Sequence, residues 1–74
     1  ETVGRIVIGN HNVFREGVSI HRALKPDGQT TVGDHNYLMA GAHLGHDTHL
    51  GNKCVFANNS LAGGHVVIED HAFV

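Results

Sequence analysis

Large apolar residues recur along this chain at a fixed step of six. From Ile8 the series runs Phe14, Ile20, Pro26, Val32, Leu38, Leu44, Leu50, Phe56, Ala62, Ile68 and Val74, and only Pro26 and Ala62 interrupt it. Neither a helical period of 3.6 nor a plain strand period of two keeps apolar residues in step over such a distance while leaving the rest mostly polar. Glycine follows the anchor at Gly9, Gly33, Gly45, Gly51 and Gly63, and the fourth residue after an anchor is small or moderate, as at Asn12, Asn36, Thr48, Cys54 and Ala72. A six-residue rhythm is the signature of a parallel β-helix. Each hexad supplies one short strand and one turn, and three hexads close a triangular coil of about 18 residues. The expected fold class is therefore all-β, a β-helix of about four coils occupying residues 1–74 as a single domain.

The segment ALKPDGQT, residues 23–30, places Pro26 and the turn-forming Asp27-Gly28 where a strand is due, and reads as a loop excursion. Two readings of it stay open: a tolerated surface insertion, or a loop flanking a substrate groove, since function concentrates on loops over rigid scaffolds. The chain opens on Glu1 rather than Met, and Val74 falls on an anchor in mid-pattern. A β-helix ending there would expose unpaired strand edges, so further residues or other chains are expected to cover its ends.

Composition narrows the function classes. At 74 residues a lone hydrophobic core is marginal, and the single Cys54 excludes an internal disulfide. That thiol content fits a reducing compartment. A net charge of −2 gives no electrostatic footprint for nucleic acid or an anionic membrane. No apolar run approaches the roughly 20 residues of a membrane span, and no signal peptide is visible. Ten glycines and eight histidines remain as the compositional oddity.

The repeat allows each histidine to be judged by its place. His11, His35 and His71 stand third after an anchor, a place that takes Lys53 in another hexad, and so read as exposed turn residues. His43, His46 and His49 have the spacing HxxHxxH of a metal site, but His43 and His49 are six apart and fall on successive sides of the triangle. One coil cannot aim all three at a common ion. Neighbouring coils are more informative: one coil after His46 comes Gly64, stacked on it at the strand spacing of ~4.8 Å, with His65 adjacent. The segment AGGHVV, residues 62–67, also breaks the repeat, because paired glycines leave room for a ligand and free backbone N–H groups. A histidine beside a carboxylate (Asp47), facing such a gap, has the parts of an acyl-transfer site. On geometry alone a hydrogen-bonded surface row of imidazoles explains the cluster equally well.

Three blocks in this order carry a resemblance: IHR at 20–22, HLGHD at 43–47 and ANNSLAGGH at 57–65. From about Arg5 to Val74 the chain resembles the acyl-ACP–UDP-N-acetylglucosamine O-acyltransferases, the family that begins lipid A biosynthesis. The resemblance implies a left-handed β-helix, a cytoplasmic homotrimer with its cleft between subunits, and acyl carrier protein and UDP-N-acetylglucosamine as partners. It implies His46 as general base, Asp47 as its orienting carboxylate and Gly64 as the oxyanion-site amide. His43 and His65 would line the nucleotide-sugar pocket, with His21 a further pocket-facing histidine. No metal and no resident cofactor is implied, the acyl group arriving as an acyl-ACP thioester. The family also continues in both directions beyond this stretch, with more coils and a helical C-terminal domain. Where Ser60-Leu61-Ala62-Gly63 stands here, the family usually reads Ala-Thr-Leu-Ala.

Two other functions are weighed against this one. A γ-class carbonic anhydrase shares the fold and binds zinc through histidines, but its HxxxxH spacing is absent, since none of the eight histidines has a partner five residues on. A trimeric β-helix without catalysis, serving as a structural or binding module, is the alternative from a different class.

Overall fold

The computed structural model describes residues 4–74. Its strands are short: β1 (Arg5–Ile8), β2 (Val13–Phe14), β3 (Ser19–Ile20), β4 (Gln29–Val32), β5 (Tyr37–Leu38), β6 (His43–Leu44), β7 (His49–Leu50), β8 (Val55–Phe56), β9 (Leu61–Ala62) and β10 (Val67–Ile68). All pair in parallel, in three sheets ordered β1-β4-β7-β10, β2-β5-β8 and β3-β6-β9. The chain therefore visits the three sheets in rotation and winds a prism of 35 × 20 × 18 Å. This is the expected parallel β-helix of the left-handed hexapeptide type.

The register shows where the expected coil holds and where it stretches. From the second layer onward partners are 18 residues apart, as in Val32 with Leu50, Leu38 with Phe56 and Leu44 with Ala62. Between the first two layers they are 24 apart: Ile8 pairs with Val32, Phe14 with Leu38 and Ile20 with Leu44. Within the excursion, the segment 21–28 that leaves the coil between β3 and β4, lies an insertion of six residues. Because it is one hexad long, the count by six passes through it unbroken, and Pro26 holds an anchor number without occupying a face. The loop read from sequence as 23–30 ends earlier than that, since Gln29 and Thr30 already belong to β4. The extra hexad also reduces the expected four coils to three complete ones, with β10 and a Val55–Phe73 bridge beginning another.

Burial follows the anchors. Val32, Leu38, Leu44, Leu50, Phe56 and Ala62 form the core with Ala42 and Cys54. Each fully buried Leu or Phe contributes about 1.5–3 kcal/mol. Ile20 and Ile68 are partly buried, whereas Ile8, Phe14 and Val74, in the outer layers, remain exposed.

The corners explain much of the histidine content. The third residue after an anchor has a left-handed backbone at His11, His35, Asp47, Lys53, Asn59, His65 and His71, with φ between 57° and 64°, and at Gly17 and Gly41. That region costs an L-residue roughly 1–2 kcal/mol, and Asn, Asp and His are the side chains most often found there. Four of the eight histidines thus sit where the turn itself selects for them.

Candidate functional site

The corner leading from the third sheet to the first carries Gly45 to Thr48 in one coil and Gly63 to Val66 in the next. His46 follows β6 on this corner, and Asp47 takes the left-handed position, which turns its side chain back across the corner. His46 Nδ1 lies 3.0 Å from Asp47 Oδ2. The carboxylate is 7 % exposed and also accepts the backbone N–H of Leu24 on Oδ2 at 3.0 Å. The Asp47 N–H donates to Oγ1 of Thr30 at 2.8 Å, and Thr30 is fully buried.

These contacts set the electrostatics. The hydrogen bond from His46, then the one from the Leu24 amide, hold the Asp47 carboxyl below the ordinary carboxylate range, against the opposing effect of burial. An ionised carboxylate can only accept, so Nδ1 of His46 carries the shared proton, and in the neutral imidazole Nε2 presents its lone pair. That nitrogen faces Gly64 of the next coil. A Cβ built on Gly64 would collide with Nε2 and stand 2.6 Å from Cε1, so only glycine leaves the ring its place. Among the described residues the N–H of Gly64 has no hydrogen-bond acceptor.

The other imidazoles group around this pair. His65 packs edge-on against His46 with ring centroids 4.9 Å apart, and its Nε2 is 4.0 Å from Asp47 Oδ2. His43, on β6, points outward with Nδ1 2.7 Å from the hydroxyl of Ser19 on β3, and His21 meets it edge-on at 4.6 Å. His21 and His46 share a groove of about 510 Å³ with Ile6, Ile20, Arg22 and Leu24. The first residues of the excursion therefore wall the groove onto which His46 opens. His49 belongs to the first sheet, where its Nδ1 lies 2.8 Å from Thr31 Oγ1, away from the others. His46, Asp47 and His65 have ligand atoms within 4.8 Å of one another and are the described residues that could hold a metal ion.

The structure thus brings together His46, Asp47, Gly64 and His65, and sets His43 and His21 beside each other at the neighbouring edge. Sequence reasoning missed Thr30, Leu24 and Ser19. Thr30 could have been found, because it stands fourth after position 26 and so shares the inward place of Thr48, Asn36 and Cys54. The Leu24 contact is made by a backbone amide in a loop and leaves no signal in residue type.

Residues 29–64 match the family model of the bacterial transferase hexapeptide, described as six repeats. This segment of the chain is similar to bacterial transferase hexapeptide repeats. It is 54 % identical over 71 residues to the acyl-(acyl-carrier-protein)–UDP-N-acetylglucosamine O-acyltransferases of Pseudomonas paraeruginosa and Pseudomonas aeruginosa. It is 55 % identical over the same length to that of Pseudomonas putida. These matches cover 95 % of the chain and 28 % of each relative, so the chain spans about a quarter of the curated proteins it matches. The resemblance seen in its motifs accordingly extends along nearly its whole length. No solved structure matches it significantly.

Proposed function

We propose that the chain carries the catalytic corner of an O-acyltransferase, moving a (3-hydroxy)acyl group from acyl carrier protein to the 3-hydroxyl of UDP-N-acetylglucosamine, the first step of lipid A biosynthesis. One observation carries the reading. His46 Nδ1 is tied to Asp47 Oδ2 at 3.0 Å and Nε2 is turned to Gly64, in a chain similar to such acyltransferases over 95 % of its length.

The chemistry follows from that orientation. With its Nδ1–H committed to Asp47, His46 offers Nε2 as general base. Nε2 takes the proton of the sugar 3-hydroxyl as the oxygen attacks the thioester carbonyl. A C–O bond forms, the C–S bond breaks, and the proton passes from Nε2 to the departing thiolate, leaving an ester, a free thiol and neutral His46. Asp47 stabilises the imidazolium that exists between these transfers, as a buried carboxylate does in other histidine-based acyl transfer. The unpaired N–H of Gly64 is the donor for the carbonyl oxygen as it becomes negative. His43, His65 and His21 contact the sugar nucleotide. No step calls for a metal or a resident cofactor. The assembly is a homotrimer working in the cytoplasm, where acyl carrier protein delivers the thioester. Among the described residues no helix is long and apolar enough to cross a membrane.

The test is to incubate the chain with an acyl-ACP and UDP-N-acetylglucosamine and to weigh the products by mass spectrometry. An O-acylated sugar nucleotide and free carrier thiol are expected, and none from the 3-deoxy sugar nucleotide. Acyl transfer to the 3-deoxy analogue, or no transfer by the assembled trimer, contradicts the proposal.

A further inference from the structure

We infer that the excursion at residues 21–28 is a brace that positions Asp47, and through it His46, rather than only a wall of the groove. The inference rests on the proposed role of His46 as base. Asp47 is gripped from both ends of this segment. At its start the Leu24 N–H donates to Oδ2 at 3.0 Å, the same oxygen that accepts from His46. At its end Gly28 comes so near the second oxygen that a Cβ there would lie 3.0 Å from Oδ1. Two residues further on, buried Thr30 accepts the Asp47 N–H at 2.8 Å. The loop is itself closed across Pro26-Asp27, where the Gly28 N–H donates to the Lys25 carbonyl at 2.9 Å and Asp27 takes a left-handed φ of 60°.

The brace answers a physical need. The left-handed corner places residues such as His35 and Lys53 out in solvent, where their side chains are exposed. Asp47 stands in the same backbone conformation but is almost wholly covered. A carboxylate attached to its histidine by one hydrogen bond can rotate about its side-chain torsions. A second donor on the same oxygen, with backbone packed against the other, removes that freedom and fixes the imidazole to one tautomer and one direction. Leu24 and Gly28 are therefore positioning residues, acting through Asp47 without touching the reacting atoms.

The experiment reads the His46 tautomer directly, by 15N NMR of the histidine-labelled chain, with amide shifts of Tyr37 and Phe56 reporting that the coil is intact. Leu24→Pro deletes the donated N–H, Leu24→Ala keeps it, and Gly28→Ala pushes a methyl toward Oδ1. Wild type and Leu24→Ala should hold the Nδ1–H tautomer. Leu24→Pro and Gly28→Ala should show both tautomers, the Asp47 carboxyl should titrate nearer its ordinary value in Leu24→Pro, and kcat should fall about 10- to 100-fold with KM little changed. If Leu24→Pro fails to fold, Gly28→Ala decides. An unchanged His46 tautomer in whichever of these variants folds, or a wild-type His46 without the Nδ1–H form, overturns the brace. The NMR readout does not depend on turnover: loss of the tautomer in a chain that transfers no acyl group would uphold the brace and sink the proposed activity.

Discussion

Two corners of the same triangle share a backbone and an inner side-chain hydrogen bond but differ in what their outer side chains do. The shared bond runs from Asn36 to the Gly51 carbonyl in one and from Thr48 to the Gly63 carbonyl in the other. The corner leading from the first sheet to the second repeats a closed polar ladder. The N–H groups of Asn10, Asp34 and Asn52 donate to the side chains of Asp34, Asn52 and Asp70 in the next coil, at 2.7–2.8 Å. Inside it, Asn36 and Cys54 donate their N–H groups to Asn12 and Asn36, each at 2.8 Å. His11 and His35 stack outside it with centroids 4.9 Å apart. Each of these backbone N–H groups is answered by a side chain of a neighbouring coil. The corner leading from the third sheet to the first has His46 and Gly64 in place of the ladder, and Asp47 and His65 in the left-handed position. Its carboxylate serves an imidazole instead of a neighbouring turn, and its Gly64 N–H has no acceptor among the described residues. The left-handed turn thus accounts for four of the eight histidines, while the residue before it sets whether a corner closes a polar ladder or presents an imidazole.

That contrast can be broken at several points. Asp47→Asn keeps the shape of the braced side chain but removes its charge and permits the wrong tautomer of His46, and acyl transfer should fall by two to four orders of magnitude. Gly64→Ala puts a methyl where the His46 ring lies. It should cost on the order of 100-fold in kcat, with the circular dichroism of the coil retained. A fall no larger than that of a surface variant would mean the two corners do not differ as described.

Stability should respond in the opposite way. Asp34→Ala removes the acceptor of the Asn10 N–H at an exposed site, and chemical denaturation should show a loss of about 1 kcal/mol with acyl transfer unchanged. The pH dependence of Asp47 gives a further check. Its carboxyl titrates below the ordinary value of about 3.9, foremost because of the His46 hydrogen bond. A lowered folded-state pKa adds stability above the unfolded value, and that stability disappears as the pH falls through the folded value. Asp47→Asn should therefore be less stable than wild type near neutrality, and the gap measured by denaturation should close below about pH 4. The smallest effect is expected from Lys53→Gly. It relieves a left-handed lysine but loosens the unfolded chain, for a net gain of about 0.5 kcal/mol in thermal unfolding and none in activity.

Much of this was legible in the sequence because a β-helix is nearly one-dimensional. The step of six alone sets which residues face inward, and the step of 18 sets which residues stack, so Gly64 could be placed over His46 and His49 assigned to another face before any coordinates. What the rhythm concealed was the length of the first coil. An insertion of one hexad is invisible to a count by six, so Pro26 kept its number and Ile8 could not be matched to Val32 rather than to position 26. The brace was hidden for a different reason. The Leu24 amide acts through the main chain, and nothing about a leucine announces a donated N–H. The left-handed turns are partly visible: the third place after an anchor, at His11, His35 and His71, reads as a turn. Asp47 and His65 hold the same place, but their spacing to His46 and Gly64 marks them for chemistry rather than as turn residues.

The most direct test compares the two corners in one assay. His46→Ala and His35→Ala are made in parallel, and acyl transfer from acyl-ACP to UDP-N-acetylglucosamine is timed for each against wild type. His46→Ala is expected to lose at least about 100-fold in kcat, the contribution of a positioned general base, while His35→Ala turns over like wild type. Equal rates from the two variants would contradict the assignment of chemistry to the corner of His46.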